Sequence, residues 1–265
     1  MIARKTWREI RGMAIAYAVI LELLLIPAVL LWPDVKQGLS GLVRLMPMRS
    51  LRDAFNAMMS PDDDVAYRAY LAVQVFFKGT NIVGIAGAVL LGTGLIARER
   101  ENQTLEFLVS RPISRSRILW GKFWVVALIL IVPIFVTSWT VIPLSKVDSV
   151  AVDIPFDVVT ICCVHASAFV LAVLAITTLI SVLGRSQVST AFWIGAVVLV
   201  EATTYFVQGI NAASAFRLSD FYVYGPVMAG NVPAMTLFLD KTIWLLVVAG
   251  AAYFAADRTF RKSGL

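Results

Sequence analysis

The sequence predicts an all-α, polytopic membrane protein with six transmembrane helices, on three observations. First, 59% of the residues are hydrophobic, against roughly 45–50% in an ordinary soluble domain, and the mean hydropathy is +0.82. Second, apolar runs near or above the roughly 20 residues that a helix needs to cross a bilayer recur along the whole chain. Third, Lys and Arg gather in alternate links between these runs, as expected when one face of the membrane holds more positive charge than the other.

The first span is expected at about 12–31, closed by Trp32 and Pro33. The others fall at about 71–97, 123–144, 157–183, 190–209 and 238–256. They leave no room for a separate soluble unit, so residues 1–265 read as one membrane domain. Before the first span, Ile2, Trp7, Ile10 and Ala14 share a helical face, while Arg4, Lys5, Arg8 and Arg11 line the other. That pattern predicts an amphipathic helix lying in the membrane interface, the alternative being a plain charged flank of the first span. The first apolar run is too long for the core of a cleavable signal and lacks a small-residue cleavage site, so no cleavage is expected.

With the N-terminus placed in the cytoplasm, 14 of the 23 Lys and Arg fall on the inner side and nine on the outer. Ten of the 17 acids also fall outside, which leaves that side near neutral. An even number of spans then puts both termini in the cytoplasm. The outer link 33–70 carries a short amphipathic stretch marked by Leu51, Phe55, Met58 and Met59. The run Asp62, Asp63, Asp64 follows Pro61 and reads as a solvated turn rather than a cation site, since no further ligands stand at useful spacing. Residues 210–237 mix Phe216, Phe221, Tyr222, Tyr224, Pro226 and Pro233 with polar side chains, as interfacial or re-entrant helices packed on protein do.

Several function classes are excluded. The excess of six positive charges is spread beside the spans rather than in one stripe, and no nucleic-acid-binding module is recognisable. Cys162 and Cys163 are adjacent in an apolar run, with neither a disulfide framework nor metal spacing. His165 is the sole histidine and reads as a hydrogen-bonded core residue; one His makes no zinc site of the usual kind. Neither GTGLIARER nor GRSQVST ends in the Gly-Lys-Ser/Thr that grips nucleotide phosphates, so the chain has no visible means of hydrolysing ATP.

The most specific stretch is RERENQTLEFLVSRPISRSRILWGK, residues 98–122. It is too polar to span and too patterned for a random link. Thr104 is placed to cap a short helix with Glu106 near its positive end, and Leu105 and Leu108 then share an apolar face. Pro112 stops that helix, and Ser114 is placed to cap the next, which runs through Arg115 and Arg117 to Gly121 and Lys122. Two short helices fixed to two spans form a stiff element that a soluble partner can push.

This stretch resembles the signature of ABC-2 type transporter permeases. Glu99, Glu101, Thr104, Leu105, Leu108, Ser110, Pro112, Ser114, Arg115, Gly121 and Lys122 stand at matching positions, while Gln103 occupies the place where that family often has Gly before the Thr. The resemblance implies a dimer of permease chains, homodimeric or heterodimeric, working with a separate ABC ATP-binding subunit that holds the ATP and Mg; no cofactor is implied in this chain. It further implies that residues 98–122 dock on that subunit, that Leu105 and Leu108 anchor the contact and that Glu99, Glu101, Arg115 and Arg117 set its rim. Transport is implied to run mostly outward, and the location is implied to be a plasma membrane, such as a bacterial inner membrane.

Two competing readings are weighed against this. An ion-coupled secondary transporter predicts more intramembrane charges and matched halves with broken helices, and an intramembrane enzyme or assembly factor needs a catalytic constellation. The sequence offers only two mid-span carboxylates, Glu22 and Glu201. A carboxylate at that depth faces protein or water and serves either function or a helix–helix hydrogen bond.

Overall fold

The computed structural model describes residues 2–42, 49–105, 113–147, 150–207 and 209–262. Among them the secondary structure is entirely helical. Six helices are long and apolar enough to cross a membrane: Ala3–Leu30, Asp63–Glu101, Arg115–Leu144, Phe156–Leu183, Gln187–Phe206 and Met235–Lys262. They coincide with the six expected spans, called here the first to the sixth.

Side-chain contacts fix the order of the ends. Residues 2–11, 97–105, 113–117, 182–187 and 257–262 share the near end, where Lys5 pairs with Glu99, the Arg100 guanidinium donates to the carbonyl of Gly184 at 2.5 Å, and that of Arg115 donates to the carbonyl of Phe260 at 3.4 Å. The far end carries residues 31–42, 49–62, 145–147, 150–155, 207 and 209–234. There the Arg68 guanidinium donates to the Asp153 carbonyl at 3.1 Å, the Tyr222 hydroxyl donates to Asp53 at 2.5 Å, and Trp32 packs its ring on Tyr67 and Tyr70.

The second and fourth spans form the middle of the bundle. In each, 67% of the most apolar window is buried by protein, against 17% in the fifth. Glycines set this closeness. A Cβ on Gly84 would lie 2.6 Å from a methyl of Val170, and one on Gly92 would lie 2.6 Å from the methyl of Thr177, so both spans approach where side chains are missing.

Three elements differ from expectation. The basic stretch 2–11 is no separate interfacial helix, because Ile2–Leu30 is one continuous helix. Nothing breaks it, since a single Gly12 costs a helix only about 1 kcal/mol. Ile10 and Ala14 of the expected apolar face turn onto the bundle together with Thr6, while Trp7 stays 48% exposed. The second span is not uniformly α-helical: Ala72–Val83 is π-helical, as is Phe238–Thr242 at the head of the sixth. Such turns are rare and widen the helix, and hydrophobic periodicity carries no signal for them.

At the far end, Asp62 accepts from the amides of Asp64 and Val65 and caps Asp63–Leu71, and Lys36 pairs with Asp63. The acidic run is therefore a helix start. The amphipathic stretch forms Arg49–Met58, with Ala54 and Met58 buried. Residues 211–228 fold as two short 3-10 turns and the helix Phe221–Met228, whose Tyr224 is fully buried and stacks on Phe76 at 5.0 Å.

Candidate coupling end and intramembrane carboxylates

The near end is built around a kink. The second span unwinds at Gly94, and the amides of Ile96 and Ala97 both reach the hydroxyl of Ser181 on the fourth span, at 3.2 and 3.1 Å. The same hydroxyl donates to the Thr93 carbonyl at 2.9 Å. One serine in an apolar run thus takes up backbone groups that the break would otherwise leave unpaired. Its only mark in the sequence is a hydroxyl among aliphatic residues, which pointed to no role.

Ala97–Glu101 follows as a short helix. It closes with the Thr104 amide on the Glu99 carbonyl at 2.9 Å and the Gln103 amide on the Arg100 carbonyl at 3.1 Å. This pair of bonds is the Schellman ending, which places the residue after the cap in the left-handed region. That residue is Gln103, with φ of 57°. The position where related loops often carry Gly is therefore one where glycine fits best.

Glu99 is the hub of the near end. Its Oε1 lies 2.6 Å from Lys122 Nζ on the third span and 3.5 Å from Lys5 Nζ on the first, and the Thr104 hydroxyl donates to its Oε2. Lys122 also donates to the Leu95 carbonyl at 3.0 Å. The side chains of Glu99 and Lys122 are 9% and 5% exposed. A buried pair of this kind is worth little net but is costly to break, so it fixes geometry more than it adds stability. Beside it, a polar cavity of about 170 Å³ is lined by Lys5, Glu9, Asn102, Thr104 and Gln187 among others.

The predicted site residues thus divide. Glu99, Thr104 and Lys122 come together. Glu101 accepts from the Gln187 amide at 2.9 Å and ties the segment to the fifth span. Ser114 accepts from the Arg117 amide at 3.4 Å and caps Arg115–Leu144, which continues without a break into the third span. Arg117 is exposed. Leu105 is only 2% exposed and belongs to the main core, so its side chain faces the bundle rather than the surface. Leu108 and Pro112 lie outside the described residues.

The two mid-span carboxylates have different surroundings. Glu201 Oε2 accepts from the Ala215 amide at 2.8 Å and from the Ser214 hydroxyl at 3.2 Å, which ties the fifth span to the 3-10 turn at Ala215–Ser219. Glu22 has one long contact, from the Thr140 hydroxyl at 3.4 Å. His165 is fully buried, with Nδ1 2.9 Å from the Thr242 hydroxyl and Nε2 2.7 Å from the Leu218 carbonyl, as a hydrogen-bonded core residue should be. Cys162 and Cys163 are free and buried.

Six helices long and apolar enough to cross a membrane, braced at the near end by a buried ion cluster, define a multi-pass membrane protein. The ABC-2 family transporter protein family matches residues 52–264, most of the chain, and the protein belongs to that family. Comparison with curated proteins finds no match. The family is that of the membrane-spanning components of ABC transporters, which implies an ABC ATP-binding partner.

Proposed function

We propose that this chain is the permease subunit of an ATP-driven exporter, energised by a separate ATP-binding subunit that docks on the near end around residues 98–122. That end faces the cytoplasm, with both termini, as its larger share of Lys and Arg favours. The membrane is a plasma membrane of the bacterial inner-membrane kind, and two copies of the chain form the membrane part. ATP and Mg stay with the partner, since this sequence carries no phosphate-binding loop.

One observation carries the reading. The Glu99 hub, with Ser181 and Glu101 beside it, connects the segment after the second span to the first, third, fourth and fifth spans. A displacement of that segment is passed to the spans rather than absorbed by a soft loop. Arg98, Gln103, Ser114 and Arg117 stand exposed on either side of 106–112, and Leu108 supplies the apolar anchor. Leu105 instead holds the segment to the bundle.

The experiment is co-purification of the permease with its ATP-binding subunit, followed by ATPase assay in lipid. Leu108→Asp combined with Arg117→Glu should leave insertion and melting temperature unchanged while lowering complex affinity at least about tenfold, since a buried apolar anchor carries most of an interface's energy. Intact binding and intact coupled turnover in the double variant would remove this segment as the docking site.

A further inference from the structure

We propose that the groove between the first and third spans binds an amphiphilic cation, an apolar body with one positive charge, and that Glu22 is the charge partner. The groove has about 440 Å³ and is walled by Val19, Leu23, Ile26, Pro27, Pro133 and Val136. Glu22 and Thr137 are the polar side chains on it, and no Lys, Arg or His lines it. Leu23 and Val136 are 66% and 51% exposed, so the groove opens sideways, toward hydrocarbon in a bilayer.

The argument rests on what Glu22 lacks. A carboxylate at mid-span is costly unless something answers its charge. Glu201 is answered by the Ala215 amide at 2.8 Å, with the Ser214 hydroxyl nearer the Glu201 carbonyl than its carboxylate. Glu22 is not. The Thr140 hydroxyl has one proton, and that proton has a better acceptor in the Thr137 carbonyl at 2.6 Å than in Glu22 at 3.4 Å. None of the ion pairs among the described residues involves Glu22. Pro27 and Pro133 sharpen the case, because each removes the amide that would otherwise bond the carbonyl four residues earlier, at Leu23 and Ile129. The groove therefore offers negative charge within an apolar wall and no cation of its own. Its complement is a cation whose apolar body fills the groove, entering from the lipid side.

The proposal deepens the permease reading by naming a substrate class and rests on it for its physiological meaning. Binding is nevertheless measured on the full chain alone in lipid nanodiscs, so its failure leaves the ATPase-docking test untouched. The probes are tetraphenylphosphonium and tetraphenylborate, alike in shape and opposite in charge. The wild type is expected to bind the cation at least about tenfold more tightly than the anion. Glu22→Gln should lose that preference, and Val136→Trp should weaken cation binding by filling the groove with Glu22 in place. Melting temperatures of both variants exclude misfolding, and the two-ion comparison on the wild type needs no variant. Equal binding of the two ions by the wild type, or wild-type cation binding by either folded variant, overturns the proposal.

Discussion

Glu99 holds two ammonium groups and a hydroxyl at the point where the second span ends, and its removal should be felt across the near end. Glu99→Gln removes the countercharge and leaves Lys122 charged, buried and answered only by neutral oxygens. The expected loss is about 3–5 kcal/mol, while Glu99→Gln with Lys122→Met should recover most of it, because it removes both charges and leaves no unanswered buried ion. Chemical denaturation in detergent micelles compares the three proteins. Asp220 is a second test at this scale. It caps Phe221–Met228 by accepting from the Tyr222 amide at 2.9 Å, and it is 1% exposed. Burial pushes its carboxyl up to about 6 from the ordinary 3.8, so the fold prefers the protonated form. That contribution, on the order of 2–3 kcal/mol, is fully present below about pH 4 and is lost as pH rises through about 6. Asp220→Asn keeps a good capping side chain and should flatten stability between pH 4 and 6, as thermal melts across that range will record. Residue identity in the 98–122 stretch was legible as a pattern, including the odd Gln103. Its meaning, a left-handed helix ending, needed backbone angles.

At the scale of elements, span existence was readable because hydrocarbon length and hydropathy determine it almost alone. The π-helical stretch Ala72–Val83 inside Asp63–Glu101 was not readable. The fusion of residues 2–11 with the first span was readable only as an alternative, since charge patterning describes an amphipathic face without saying which way the chain continues. Ser114 was readable as a cap because capping is local chemistry. Leu105 packs on its own bundle, and the sequence did not show this because one apolar residue in a polar link looks the same whether it faces a partner or its own bundle. The glycines between the second and fourth spans give an element-scale prediction. Gly92→Val puts a branched side chain where even a Cβ would meet Thr177 at 2.6 Å. It should force the second and fourth spans apart at a cost of about 1–3 kcal/mol, whereas Gly12→Ala, with nothing within 4 Å, should be neutral or slightly stabilising. Melting temperatures of the two variants in one detergent check the contrast.

For the whole molecule, the central claim is that an ATP-binding subunit covers the near end on the cytoplasmic face. The chain is well suited to a direct test, because its two native cysteines are both buried and give little background labelling. Arg117 is exposed and no hydrogen bond or ion pair of its side chain holds the hub together, so Arg117→Cys introduces one reactive thiol at the edge of the segment. A membrane-impermeant maleimide is applied to right-side-out and inside-out vesicles, with and without the ATP-binding subunit. The account predicts labelling in inside-out vesicles only, reduced at least about fivefold when the subunit is bound, on the ground that a docked interface excludes solvent from its rim and core. Labelling in right-side-out vesicles, or labelling that the bound subunit leaves unchanged, would contradict it.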